Sequence, residues 1–343
     1  MVSSDNLLAQ DLDMILSRTE PLWAELRGER IFITGGTGFF GCWLLESFAW
    51  PNDRLKLDAR AVVLTRDAGA FRKRIPRLAA HPAISFHAGD VRSFDFPPGG
   101  FSHVIHAATE ASAKLNTEQP LVMFDTIVAG TRRALELARH SGAKKFLLTS
   151  SGAVYGRQPP ELAHIPEDYP GGPDPTNPNS AYGEGKRAAE MLCTLFHRQH
   201  GLETKIARCF AFVGPHLPLD AHFAIGNFIR DALNGGSVKI NGDGTPFRSY
   251  LYAADLAAWL WTILFKGQAC RPYNVGSEEA LNIAQVAELV VKTINPTLKV
   301  EIARVAVKGQ SAERYVPSAR RAAEELHLRP QTPLAEAVRR TVQ

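Results

Sequence analysis

The stretch Ile31-Phe32-Ile33-Thr34-Gly35-Gly36-Thr37-Gly38-Phe39-Phe40-Gly41 decides how this chain is read. A short apolar strand runs into a turn with glycines at 35, 38 and 41, and a helical pattern comes next. Gly35 permits the tight turn, Gly38 lets the backbone approach a pyrophosphate, and Gly41 lets the helix pack close to the strand. The free N–H groups of the helix start then offer partial positive charge to phosphate oxygens. The turn predicts a dinucleotide site.

On the C-terminal side of this turn, strands alternate with helices. Strands are predicted at Ile31–Thr34, Arg60–Thr65, Ser85–His87, Ser102–Ala107, Lys145–Thr149 and Glu203–Arg208. Helices are predicted at Phe39–Ala49, Leu121–His140 and Ala181–His200. Most of the strands are continuous apolar runs, as burial on both faces requires. The pattern implies βαβ units and an α/β fold, a Rossmann-type doubly wound parallel sheet. Residues 29–210 are assigned to this dinucleotide-binding domain. Residues 1–28 form a helical extension, with Leu8, Leu12, Ile15 and Leu16 at helical spacing. It is either packed on its own chain or part of an oligomer contact. From residue 211 segments shorten and turns multiply, so 211–343 is read mainly as a smaller C-terminal α/β substrate lobe, with some segments returning to the sheet.

Composition narrows the functional classes. The 343 residues are 45% hydrophobic and 22% charged, with a formal net charge of +4. That charge is too small to point to nucleic acid. The basic run Arg72, Lys73, Arg74, Arg77 is read as a solvated helix face. Asp5, Asp11 and Asp13 break any apolar leader, and the apolar stretch from Leu251 to Phe265 is too short to span a bilayer. No membrane association is expected. Cys42, Cys193, Cys209 and Cys270 have no metal-site spacing and read as reduced thiols, so a cytoplasmic protein without a bound metal is expected.

The second strand ends Val63-Leu64-Thr65-Arg66-Asp67. An acidic residue at its tip would hold the ribose 2′-OH of NAD, whereas an arginine suits the 2′-phosphate of NADP. Arg66 favours NADP; Asp67, one step on, keeps NAD open. Asp90 and Val91, after the third strand, would face the adenine.

Tyr182 and Lys186 stand four residues apart, on one face of a helix. A nearby ammonium is expected to lower the phenol's pKa, so that Tyr182 can move a proton at an alcohol or carbonyl while a nicotinamide exchanges hydride. The strand Phe146-Leu147-Leu148-Thr149-Ser150-Ser151 ends in hydroxyls that can bond the reacting oxygen. Ser151 is the first choice and Ser150 the second.

These motifs together resemble the nucleotide-sugar epimerase/dehydratase family of extended short-chain dehydrogenases. The resemblance is carried by TGGTGFFG, His106-Ala107-Ala108, SSGAVYG, YGEGK, RCFAFVGP from Arg208, GDGTPFRSYLY and YNVGS. It implies a catalytic set of Ser151, Tyr182 and Lys186. It places Phe39 and Phe40 over the pyrophosphate, Ala107 and Ala108 beside the cofactor, and Phe210 in the nicotinamide pocket. Arg248 would hold the diphosphate of a nucleotide-sugar substrate, with Arg314 as a second clamp. It also implies a homodimer joined through the helices at 121–140 and 181–200.

Departures from the family bear on the reaction. Dehydratases carry Asp-Glu, or at least Glu, just after the catalytic hydroxyl, and the related decarboxylases carry a Glu there; this chain has Gly152-Ala153. That favours chemistry confined to C4: a 4-epimerase or a 4-keto-sugar reductase, ahead of a dehydratase or decarboxylase. Ala211 and Ile127 replace frequent asparagines. His106, His164, His216 and His222 read as structural, although His222 and Glu110 are candidate accessory acid–base groups. A non-catalytic NADP-binding sensor or scaffold is disfavoured by the intact Ser151, Tyr182 and Lys186. A dehydrogenase of steroid or flavonoid alcohols is disfavoured by Arg248 and Arg314, since such substrates carry no diphosphate.

Overall fold

A computed structural model describes residues 7–343 apart from 110, 111, 222 and 308. Glu110 and His222, the two candidate accessory groups, lie outside the described residues. The central sheet is built from β1 (Arg30–Thr34), β2 (Arg60–Thr65), β3 (Ile84–Ala88), β4 (His103–His106), β5 (Lys145–Ser151) and β6 (Glu203–Cys209), with a seventh strand at Pro272–Val275. Its order is 3-2-1-4-5-6-7 and every pairing is parallel. The direction in which successive strands are added across the sheet reverses between β1 and β4. In doubly wound folds ligands bind at that crevice, off the carboxyl ends of the strands.

Two helical layers cover the sheet, and the strand side chains alternate between them. On one face Ile31, Ile33, Ala61 and Val63 pack against α2 (Phe39–Arg54), an apolar helix at Ala253–Lys266 and the 3-10 turn Glu20–Leu26, through Phe48, Trp259, Trp261 and Trp23, and α1 (Ala9–Thr19) lies on those two helices. On the other, Phe32, Val104, Phe146 and Leu148 pack against the helices Pro120–His140 and Ala181–His200. Burying a large apolar side chain contributes about 1.5–3 kcal/mol. Two-sided burial explains why the strands read as unbroken apolar runs.

The N-terminal extension packs on its own chain. Leu8, Leu12 and Ile15 join a second core with Trp43, Trp50, Ile225 and Phe228. Arg18 pairs with the buried Asp255 at 2.8 Å, and Asp11 meets Tyr252 and Arg340. The segment after residue 211 does not stay apart from the sheet, because Pro272–Val275 is its edge strand beside β6. Among the described residues no helix is long and apolar enough to cross a membrane.

Candidate active site

The carboxyl ends of β1, β2, β4, β5 and β6 open into one cleft of about 1190 Å³. Pockets for one small ligand usually hold about 300–1,000 Å³, so this cleft has room for more than one such ligand. Gly35, at φ +71°, sits so close to β4's exit that a Cβ there would lie 2.5 Å from the Ala107 carbonyl. A Cβ on Gly41 would lie 2.3 Å from the backbone of Gly35 and Gly36. The two glycines therefore serve different ends: Gly35 lets the turn fold under Ala107-Ala108, and Gly41 seats α2 on that turn. Gly41 does not line the cleft, whereas Gly35, Gly38, Phe39, Phe40, Ala107 and Ala108 do.

At the far end, Arg66, Asp67, Asp90, Val91 and Arg92 line the cleft beside the tips of β2 and β3. Asp67 Oδ1 accepts the Ala70 N–H at 2.9 Å and caps the short helix Ala68–Arg74. Asp90 takes two bonds from the Arg92 guanidinium, at 2.8 and 3.0 Å, and one from its N–H at 2.9 Å, which hold its carboxyl below the usual range. The basic run does not behave as one solvated face. Arg74 reaches back to the Thr37 carbonyl and lines the cleft, and Arg77 pairs with the buried Glu46.

At the near end, β5 delivers its two hydroxyls to different places. Ser150 donates to Glu190 Oε1 at 2.6 Å. Ser151 accepts the Ala153 N–H at 3.1 Å and stands beside the Tyr182 phenol, which it holds lower than burial alone would. The alternation of a strand explains the difference: neighbouring side chains point to opposite faces. Tyr182 and Lys186 stand on the same side of their helix, with the ammonium 5.9 Å from the ring centroid. Lys186 Nζ donates to Thr109 Oγ1 and to the Thr149 carbonyl, each at 2.8 Å.

Tyr182 and Lys186 are neighbours in this cleft without a direct hydrogen bond between them. Burial raises the Tyr182 phenol, and only the Ser151 hydrogen bond works against it. Burial lowers the Lys186 ammonium to about 8. The ammonium donates its hydrogen bonds to Thr109 and Thr149, so its support of a phenolate acts through space and not through a direct hydrogen bond.

The remaining candidates divide. Phe210 lines the cleft, its ring 4.7 Å from that of Tyr315. Arg248 lines it too, half-buried, its side chain donating to the Phe247 carbonyl at 2.8 Å. Arg314 does not line the cleft. Its guanidinium stacks 4.3 Å over the Phe247 ring, and its strand neighbour Tyr315 faces the cleft instead. Again the alternation of a strand decides, by one position. Sequence pattern does not single out Tyr315, Thr109, Arg74 or Asn116 as site residues. Only Tyr315 carries a signal, as the other face of a strand whose Arg314 is a candidate. Asn116 clamps the start of the Tyr182 helix, accepting the Tyr182 N–H at 3.0 Å and donating to the Asn179 carbonyl at 2.8 Å.

Three histidines have structural roles. His106 is buried between Thr34 at 2.8 Å and Thr131 at 3.1 Å, and burial, with Lys186 nearby, pushes it down to about 3. His164 bonds the Glu278 carbonyl, and His216 packs edge-on against Trp43. Ile127 is buried against Gly185 and does not line the cleft, whereas Ala211 does.

The residues present fit a dinucleotide. A glycine turn without side chains leads to a helix start, arginines gather at one end, and a hydroxyl, a phenol and an ammonium gather at the other. A family model described as the NAD dependent epimerase/dehydratase family matches residues 31–276. The chain is 32% identical over 273 residues to UDP-glucuronic acid decarboxylase 3 of Arabidopsis thaliana, covering 80% of this chain and 77% of that protein. It is 30% identical over 315 residues to UDP-glucuronic acid decarboxylase 1 of Xenopus tropicalis, covering 92% and 71%. Two solved structures share the fold. The dTDP-glucose 4,6-dehydratase DesIV of Streptomyces venezuelae, with NAD and TYD bound, superposes with a TM-score of 0.77 at 24% identity, covering 91% of this chain and 95% of that one. The UDP-glucose 4-epimerase of Thermotoga maritima gives 0.74 at 23%, covering 91% and 97%. On the match over most of its length, this chain belongs to the NAD-dependent epimerase/dehydratase family.

Proposed function

We propose that this protein oxidises C4 of a nucleoside-diphosphate sugar to a 4-keto sugar, using NAD(P) bound along the glycine turn. The observation that carries the reading is the meeting of Ser151 and Tyr182 at the mouth of β5, one helical turn from Lys186. When bound, the nicotinamide supplies a reversible hydride acceptor at that end of the cleft. Tyr182 takes the proton of the C4 hydroxyl, Ser151 holds the C4 oxygen, and Lys186 presents its ammonium beside them. Arg248 holds the diphosphate through charge-assisted bonds. Gly35, Gly38, Phe39, Phe40, Ala107 and Ala108 bracket the cofactor, Gly41 seats the helix behind it, and Phe210 walls the nicotinamide end. Asp90 and Val91 stand by the adenine. Arg66 favours NADP, since Asp67 is engaged in capping a helix.

The fate of the 4-keto sugar divides two readings. Read from the residues, the ketone is reduced again, giving a 4-epimerase or, in net reduction, a 4-keto-sugar reductase. The decarboxylase names of the relatives at 30–33% identity support a second reading, in which a 4-keto uronate loses CO2. That reading is chemically stronger than Gly152-Ala153 first suggests. The C4 ketone itself accepts the electron pair that CO2 leaves behind, so no side-chain base is needed to break that bond. Dehydration is different, because it needs a base and an acid at the adjoining carbons, and positions 152 and 153 supply neither.

Incubation with NAD(P)⁺ and UDP-glucuronate, or a UDP-hexose, and then mass spectrometry of the sugar nucleotide, tests the reading. A pentose product assigns decarboxylation, and an epimer assigns epimerisation. Tyr182→Phe should lower either by roughly 10²–10⁴-fold while keeping cofactor affinity. Near-normal turnover of that variant would refute the role of Tyr182. Arg248→Ala should raise KM, and an unchanged KM would place the diphosphate elsewhere.

Two helices of the outer layer, Pro120–His140 and Ala181–His200, pack on each other and leave Leu121, Met191 and Leu195 exposed. These side chains support a homodimer joined through that pair.

A further inference from the structure

A second phenol stands beside the catalytic hydroxyl. Tyr315 OH lies 3.5 Å from Ser151 Oγ, on the strand Arg314–Tyr315, in register with Arg248. That separation is long for a hydrogen bond, but bonds of this kind tighten when substrate arrives. Gly152 shows how closely the ring is seated: a Cβ at that position would lie 2.8 Å from Tyr315 OH and 2.7 Å from the Phe210 ring. Position 152 can therefore carry no side chain while these two rings occupy the space. The phenol stands where a carboxylate on residue 152 would point.

The two phenols differ in their surroundings. Tyr182 shares a helix face with Lys186. Tyr315 packs on Phe210, and burial, partly offset by Ser151, raises its phenol far above the ordinary range. A phenol so placed stays protonated and acts as a donor.

We propose that Tyr315 is the proton donor to the sugar carbon adjoining C4. The inference rests on the C4 oxidation proposed above. With the C4 oxygen held by Ser151 and Tyr182, Tyr315 OH, 3.5 Å from Ser151 Oγ, stands within reach of a ring carbon adjoining C4. In a 4-keto uronate, the C5–C6 bond breaks and CO2 departs. The electron pair of that bond enters the ketone as an enolate, with the charge on the C4 oxygen. The Tyr315 O–H bond then breaks, its proton forms a new C5–H bond as the enolate returns to the ketone, and the phenolate regains a proton from water. No oxidant or reductant enters this step.

The test uses the full chain and Tyr315→Phe, with NAD(P)⁺ and UDP-glucuronate in D2O. Absorbance of reduced nicotinamide reports C4 oxidation, and mass spectrometry reports deuterium at C5 of the product. The variant should still form reduced nicotinamide, and deuterated product per reduced nicotinamide formed should fall by roughly 10²-fold. Calorimetric affinity for UDP alone should be unchanged. Deuterated product at the parent rate would overturn the proposal, and so would loss of C4 oxidation or of UDP affinity in the variant. Failure of the parent protein to form any reduced nicotinamide would instead overturn the reading of function itself, and this inference with it.

Discussion

Glu190 and Arg208 face each other across the back of the catalytic strand in a two-pronged ion pair, with N–O distances of 2.7 to 3.3 Å. The pair is largely shielded, and it gathers the ends of three elements. Glu190 also takes the Ser150 hydroxyl, while Arg208 donates to Tyr155 OH at 2.9 Å and to the Glu167 carbonyl at 3.1 Å. Ser151, the next residue along, is thereby held from behind.

Removing one partner of such a pair leaves the other buried without compensation, at a cost of about 3–5 kcal/mol. Glu190→Ala should lose about 3 kcal/mol in urea unfolding, and Glu190→Gln, which can still bond Ser150, should lose less. Equal stability of all three proteins would show that the pair contributes nothing to holding β5.

His106 makes the fold acid-sensitive. Its imidazole titrates at about 3 in the fold against 6.5 ordinarily, so between those values the unfolded chain binds a proton that the native chain does not. Stability is therefore retained above about pH 6.5 and falls as pH drops toward 3, by up to about 1.4 kcal/mol per pH unit. His106→Gln should flatten that acid slope in unfolding experiments across this range. An unchanged slope would assign the acid sensitivity to other groups.

An alkaline limit on cofactor binding is predicted from Lys186. Burial brings the free cleft's ammonium to about 8, so it loses its proton as pH rises through that value. If its charge serves the cofactor, calorimetric affinity for NAD(P) should be weaker at about pH 9 than at about pH 7. Lys186→Met should be weak at both, with no pH dependence from this residue. Identical pH dependence in the two proteins would exclude the ammonium.

Arg66 and Asp67 are neighbours with separable tasks. Arg66→Ala should weaken NADP far more than NAD, by roughly 1.5–3 kcal/mol for a lost charge-assisted bond. Asp67→Ala should leave that preference alone and cost about 1 kcal/mol of stability through its lost helix cap. Parallel titrations of both variants with both cofactors decide the matter. Equal weakening of NAD and NADP by Arg66→Ala would end the assignment.

Met191 and Leu195 are 59% and 41% exposed on the outer face of the Tyr182 helix. Met191→Glu with Leu195→Glu should convert the proposed dimer to monomer in light scattering, without loss of helix signal. A parent protein that is already monomeric would remove the dimer from the proposal.

Much of the architecture was legible because it rests on local chemistry repeated along the chain. The glycine turn, the apolar strands and the Tyr182–Lys186 spacing each reflect how a few adjacent residues must be shaped and buried. Those rules determined the parallel sheet, the dinucleotide-type turn and the side of the sheet on which a ligand can lie. They also separated β5's terminal hydroxyls from the rest of the strand. Local pattern did not say that Ser150 turns away to Glu190, that Arg314 turns outward while Tyr315 turns in, or that Arg74 leaves its basic run to reach Thr37. Nor did it show that the Lys186 ammonium is hydrogen-bonded to Thr109 and Thr149. Each of these depends on residues far apart in sequence. A strand shifted by one position reverses every side chain it carries, and only the packed neighbours of that strand decide its register.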